Sequence, residues 1–292
     1  MTNFDSIVII FNPKSTGDGP RLASELQDQI KERLPEMKVS MEPTKAAGHA
    51  IELARNAARS GRPLIISVSG DGGYNEVVNG VVQAANDQAI AAVLPAGNAN
   101  DHDRAVRDGE LIDAIVSGQT KRLDLLRLEV TSGESSEVRY AHSYIGLGLT
   151  PAVALALNKH GKGSIQELWL SLKTYLSFLP FAIKVDGQTR RYDSLVFANI
   201  NEMAKVATLS EDGAPDDGEF EVISVKAGPK LQLLYFAAKS AIFGLGRQPS
   251  VTRFAFSTPG PQPIQLDGEV MELKAGSELV VVCSRGRLRT LA

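Results

Sequence analysis

Across 292 residues there is one cysteine, Cys283. That excludes a disulfide framework and any thiolate zinc spacing, and makes a reducing, cytoplasmic setting the default expectation. In the run "LVVVCS" the residue reads as a small buried core side chain. Basic residues are in no surplus either: 31 Lys and Arg face 34 Asp and Glu, a formal net charge of -3. No basic stripe of the kind that tracks a nucleic-acid backbone is present. No apolar stretch reaches the roughly 18 residues needed to cross a bilayer, so any membrane contact is expected to be peripheral. The opening "MTNFDSIVIIFNPKS" sets an acid before a short apolar run and has no basic n-region, so it does not read as a secretory signal. Internal repeats and low-complexity linkers are missing as well. So are the two common phosphate motifs: G-x-G-x-x-G fails where Asn75 takes the third glycine's place, and no G-x-x-x-x-G-K-[ST] occurs.

What is present is a globular composition, 43% hydrophobic and 22% charged, with a change of pattern along the chain. Up to about residue 122, short apolar runs alternate with helical patterns: "SIVIIF" before "PRLASELQDQIKERL", "PLIISVS" before "YNEVVNGVVQAAN", "AIAAVLP" before "NDHDRAV" and "GELIDAIVSG". Near-continuous apolar strands alternating with helices imply a parallel sheet covered on both faces, a Rossmann-like α/β domain over 1–122. From 123 to 292 the pattern changes to strand candidates divided by turn signals, among them "FAIKVDGQTRRY", "GEFEVISVK" and "ELVVVCS". That reads as an antiparallel β-sandwich with helical insertions around 151–179 and 230–246. The boundary is soft, and the last residues are free to pack back on the first domain.

In an open parallel sheet, ligands bind beyond the carboxyl ends of the strands. The segments there are "NPKSTGDG" (12–19), "SGDGGYNE" (69–76) and "PAGNANDHDR" (95–104). Any one of them is explained by a turn that needs glycine. Three on one edge point to a phosphate site, where the bare amides of Gly70, Gly72 and Gly73 lead into a helix N-terminus. Asp71 is more than a turn requires, because a carboxylate beside phosphates is repulsive unless a cation such as Mg²⁺ lies between them. Asp101 and Asp124 would extend an acidic cluster, or else cap the helix "HDRAV" and open a strand, respectively.

These three segments, in this order and spacing, resemble the catalytic domain of the diacylglycerol kinase and sphingosine kinase superfamily, especially its soluble bacterial lipid kinases. The resemblance continues through "TKAAGHAIELARNAA" (44–58), "YIGLG" (144–148), "APDDGEFEVISV" (214–225) and "QLDGEV" (265–270). It implies ATP bound in a cleft between an N-terminal α/β domain and a C-terminal β-sandwich. Asn12, Thr44, Ser69, Gly70, Asp71, Gly72, Gly73, Asn75, Asn98 and Asp101 would form the nucleotide site, with Mg²⁺ at Asp71 and Asp101, and Asp124 joins that metal set from the acidic cluster read above. Without the resemblance Thr44 is only a helix-capping candidate. The chain departs from the pattern twice. Ser69-Gly70-Asp71-Gly72-Gly73 stands where G-G-D-G-T is common, so the hydroxyl at 73 is absent, and Asn98-Ala99 stands where G-T-G-N-D has threonine and glycine.

The resemblance also places a proton acceptor in the "LDGE" segment, which on spacing alone is an Asp-Gly hairpin turn. Asp267 and Glu269 are both candidates. It further implies a structural Mg²⁺ at Asp217 with the carbonyls of Ala214 and Glu219, a segment that also reads as a turn. The apolar helical patterns at 164–181 and 231–246 are explained by core packing or by a lipid-facing surface. Lys159, Lys162, Arg190, Arg191, Lys239 and Arg247 are either a basic rim or solvated side chains. The expectation is an ATP- and Mg²⁺-dependent lipid kinase acting on a diacylglycerol-like hydroxyl. It would be cytoplasmic and transiently membrane-associated, and a homodimer is compatible with the sequence. The rivals are an NAD kinase-like enzyme and a nucleotide- or lipid-binding protein without turnover.

Overall fold

A computed structural model describes residues 2–15, 18–97, 100–148, 179–203, 207–211, 213–229, 239 and 244–292. The chain divides into two units, Met1–Leu125 with Arg285–Ala292, and Leu126–Ser284. In the first, β1 (Ser6–Phe11), β2 (Lys38–Pro43), β3 (Pro63–Ser69) and β4 (Ile90–Pro95) form a parallel sheet in the order β2-β1-β3-β4. The connections are α1 (Gly19–Arg33), α2 (His49–Ala58) and α3 (Asp71–Gln83), followed by α4 (Asp101–Val106), α5 (Leu111–Ser117) and the long strand β5 (Thr120–Ser132).

The central strands owe their apolar spelling to burial on both faces. In β3 the first six residues are all buried, whereas β2, at the sheet edge, has none fully buried. That strand was not anticipated, since "KVSMEP" has only Val39 and Met41 to offer an apolar neighbour. Of Val77, Val78, Val81, Val82 and Ala85, whose helical spacing in the sequence suggests one face packed on a sheet, the four valines are buried in α3, while Ala85 lies past the end of the helix and is exposed. One core of this unit gathers Ile7, Ile9, Leu64 and Ile66 of the strands with Leu26 and Ile30 of α1, and Leu291 from the far end of the chain joins it. The segment Arg285–Ala292 is bound by backbone as well: Gly286 N donates to Asp124 Oδ1 at 2.6 Å and Ala292 N to the Gln119 carbonyl at 3.0 Å.

The second unit is built on an antiparallel, curled sheet. From one edge the strands run Glu269–Leu273, Gln262–Leu266, Tyr144–Gly148, Gln188–Ala198, Phe181–Val185, Arg253–Thr258 and Ser277–Leu291, and then β5 and Ser135–Ala141. Phe220–Lys226 also pairs with Gln188–Ala198. Phe197 sits at the middle of its core, with the rings of Phe220, Phe254 and Phe256 at centroid distances of 5.9, 5.1 and 5.9 Å. The helical patterns expected around 151–179 and 230–246 lie outside the described residues, apart from Leu179, Lys239 and 244–246. Lys159 and Lys162 lie outside them too. Among the described residues no helix is long and apolar enough to cross a membrane.

Candidate active site

The carboxyl ends of β1, β2 and β3 meet around a cavity of about 380 Å³ in the first unit. Of the anticipated residues, Asn12, Thr44, Ser69 and Gly73 line it. Lys14, Lys45 and Glu76 line it as well and were not singled out from the sequence. Each lysine lies two or three residues past a strand end, which was the available signal. Asn12 folds its own loop, its Oδ1 accepting the Lys14 amide at 2.9 Å, and Thr44 N donates to the Phe11 carbonyl at 2.8 Å.

Glu76 ties one wall of the cavity to another. Its Oε1 accepts the Gly48 amide at 2.9 Å and its Oε2 the Ala50 amide at 3.1 Å. These are amides that the start of α2 cannot satisfy internally, so a carboxylate on α3 caps α2. Glu76→Ala is expected to lower stability by about 1–2 kcal/mol in chemical denaturation, the range of a lost helix cap. A change within about 0.5 kcal/mol, what an ordinary exposed surface position gives, would show that Glu76 does not cap α2.

The glycine loop after β3 is joined to the loop after β4. Ala96 N donates to the Ser69 carbonyl at 2.9 Å, and the two backbones approach so closely that a Cβ on Gly97 would lie 2.5 Å from the Gly70 Cα. Asn100, at φ 53°, holds the turn, its Oδ1 accepting Gly97 N at 3.1 Å and its Nδ2 donating to the Gly97 carbonyl at 2.8 Å. Gly97 and Asn100 were missed because their role is contact between loops, which local spelling does not carry. Gly70 precedes α3 in an extended conformation and its carbonyl accepts Tyr74 N at 3.1 Å. Asn75, anticipated in the nucleotide site, is buried and receives the Asn79 amide at 3.1 Å inside α3. Asn98 lies outside the described residues.

The acids are placed differently from one another. Asp71, the first residue of α3, is half-buried, and its Oδ1 accepts His102 N at 3.3 Å. Asp101 opens α4 and is buried against Arg104 at 2.6 Å. Asp124 lies within β5, not at its start, and is buried with the Gly286 amide. Burial pushes the Asp103 carboxyl above the usual carboxylate range; its ion pair with Arg107 opposes this and the charge of Asp71 adds to it. Among the described residues, no group of three His, Cys, Asp or Glu side chains converges to hold a metal ion.

In the second unit, Asp267 and Gly268 form the two-residue turn, at φ 47° and 97°, between paired Leu266 and Glu269. Positive φ at both positions is the primed hairpin geometry that the Asp-Gly spelling signals. The Asp267 carboxylate is wholly buried and turned inward: Oδ2 accepts His142 N at 2.7 Å, and Oδ1 accepts Ser143 N and Tyr144 N, both at 2.9 Å. His142 Nδ1 lies 2.7 Å from Ser143 Oγ. This Asp-His-Ser run looks like a nucleophile relay in outline, but both His142 and Ser143 are 0% exposed, so no substrate reaches it. Glu269 is half-exposed. Asp217 is exposed and closes its own turn, accepting Ala214 N at 3.3 Å and Glu219 N at 2.9 Å.

Residues 6–128 match the family model described as the diacylglycerol kinase catalytic domain. A diacylglycerol kinase of Staphylococcus aureus (strain MRSA252) is 25% identical over 240 residues, covering 75% of this chain and 70% of that protein. A diacylglycerol kinase of Staphylococcus carnosus (strain TM300) is 27% identical over 240 residues, covering 75% and 72%. Among solved structures, a diacylglycerol kinase from Bacillus anthracis str. Sterne superposes with a TM-score of 0.74 at 20% identity, covering 100% of this chain and 98% of that one. Yeast NADH kinase complexed with NADH superposes with a TM-score of 0.56 at 13% identity, covering 99% and 84%. At these identities the structural likenesses speak for the fold.

Proposed function

From the match of residues 6–128 to the diacylglycerol kinase catalytic domain, we propose that the protein transfers the γ-phosphoryl group of ATP to a hydroxyl of a diacylglycerol-like lipid. The observation that carries the reading is the cavity at the strand ends, where Asn12, Thr44, Ser69 and Gly73 stand beside Lys14 and Lys45. Two ammonium groups at the mouth of a glycine loop suit the negative charge of a nucleotide's phosphates.

Mg²⁺ fits this site as an ion held by one carboxylate. Asp101 and Asp124 are buried whereas Asp71 is only half-buried, and Mg²⁺ commonly takes one or two carboxylates and completes its shell with phosphate oxygens and water. Asp71 is the residue that would hold it, with Asp101 and Asp124 as outer support. Bound there, the ion would neutralise charge on the transferring group. The exposed Asp217 turn, with the carbonyls of Ala214 and Glu219, is a second oxygen-only site for the same ion. In the transfer step the lipid oxygen bonds to the γ-phosphorus, the bond to ADP breaks, and the hydroxyl proton passes to a carboxylate. Glu269 suits that role because it is half-exposed, and Asp267 shapes the turn that presents it. Arg190, Arg191, Lys239 and Arg247 are proposed to assist transient docking on an anionic membrane surface, at about 1 kcal/mol each.

The test offers labelled ATP with mixed vesicles containing diacylglycerol, with other extracted lipids, and with NAD. The expected result is Mg²⁺-dependent label in the lipid phase. Label in NAD would replace the lipid reading with that of a dinucleotide kinase, while ATP binding without transfer to any acceptor would replace it with that of a binding protein.

A further inference from the structure

We propose that positions 69 and 73 act as one coupled unit of the nucleotide pocket. The Ser69 side chain fills the space that any side chain at 73 would need, and its hydroxyl is the donor that the loop offers to a phosphate oxygen. The second half rests on the nucleotide reading above; the first does not. Both residues line the cavity. A Cβ built on Gly73 would lie 2.7 Å from Ser69 Cβ and 2.8 Å from Ser69 Oγ, distances that real Cβ atoms do not show. Gly73 is not among the positive-φ residues, so its backbone does not call for glycine, and glycine is disfavoured within a helix. The reason for a bare position there is spatial, and Ser69 is what occupies the space.

The hydroxyl is also prepared for a ligand. Ser67 and Ser69 are two apart on β3 and so point to the same face, and both line the cavity. Their Oγ atoms are 2.7 Å apart, and Ser69 Oγ donates to the Gly70 carbonyl at 3.0 Å. A hydroxyl proton rotates to suit its acceptor. Ser69 can therefore redirect its proton from the carbonyl to a phosphate oxygen without moving a heavy atom, while Ser67 continues to hold the oxygen in place. The hydroxyl absent from the helix at 73 is supplied from the strand at 69.

The experiment compares wild type, Ser69→Gly, Ser69→Ala, Gly73→Thr and the Ser69→Gly/Gly73→Thr double variant. It reads the melting temperature without nucleotide, and the Kd for ATP by calorimetry. Gly73→Thr is expected to lower the melting temperature and weaken ATP by at least about tenfold, through collision with Ser69. Ser69→Gly and Ser69→Ala are each expected to weaken ATP by about tenfold, as the loss of one hydrogen bond to a charged group would. The double variant should recover the melting temperature lost by Gly73→Thr and bind ATP within about threefold of wild type. Additive losses in melting would overturn the steric coupling. Wild-type ATP affinity in Ser69→Ala would overturn the role of the hydroxyl. If the wild-type protein itself binds no ATP, the nucleotide reading and the hydroxyl's role fall together, and the melting cycle still decides the coupling.

Discussion

Asp71→Asn is expected to keep the melting temperature of the wild type and to lower phosphoryl transfer by roughly 10³-fold or more, the scale of losing a charge-neutralising partner at a transferring phosphoryl group. The substitution is nearly isosteric, and its amide oxygen can still accept the His102 N–H that Asp71 now holds at 3.3 Å. The loss is the negative charge alone. That charge is felt locally, since it helps to push the Asp103 carboxyl up, and it is what would attract a divalent cation to the start of α3. The measurement is steady-state transfer across a Mg²⁺ titration, alongside thermal melting. Turnover close to wild type at saturating Mg²⁺ would remove Asp71 from the chemistry.

The second large effect divides a pair that the sequence left undivided. Glu269→Gln should fold normally, bind ATP as before and lose roughly 10²–10⁴-fold in turnover, as befits a proton acceptor. Asp267→Ala should instead be a stability variant. It leaves the buried amides of His142, Ser143 and Tyr144 without their acceptor, and a buried donor left unsatisfied costs about 1–3 kcal/mol each, more beside a lost charge. Asp267→Asn should be unstable too. Asn-Gly serves the turn equally well, but its NH₂ would face backbone donors that now meet an oxygen. If the segment did no more than turn the chain, that variant would be silent. Denaturation and turnover measured on all three variants give the answer: full activity in Glu269→Gln, or unchanged stability in Asp267→Ala, would reverse the assignment.

The Asp267 case shows where reading the sequence stops. The hairpin was legible because Asp-Gly between apolar runs is a local signal, but the partners of its carboxylate lie 123–125 residues earlier in the chain. Glu76 is similar: its spacing suits the polar side of α3, and nothing local points to Gly48 and Ala50, 28 and 26 residues before it. The strands β1, β3 and β4 were plain because they are apolar nearly throughout, with Ile7, Ile9 and Ile10, residues 63–68 and residues 90–93 buried. The edge strand β2 alternates exposed and half-buried positions and left almost no apolar trace. Of the loops, Asn12, Thr44, Ser69 and Gly73 were found from their positions at strand ends and from the resemblance, and the cavity contains all four. Lys14 and Lys45 escaped because a single lysine in a polar loop is ordinary anywhere.

The return of Arg285–Ala292 to the first unit has a consequence for how the protein is made. A nascent chain that has emerged only as far as Ser284 already holds every loop of the cavity. It still lacks Leu291 in the core, the amide that Asp124 accepts and the final backbone bond to Gln119. Domains synthesised first usually fold first, but this one cannot close before the whole second unit has been translated. Until then the carboxylate of Asp124 lacks the Gly286 amide and the core lacks Leu291, although the parallel sheet β2-β1-β3-β4 already has all its strands. The order of synthesis is thereby inverted in the order of completion: the unit whose residues come first is the last to be finished.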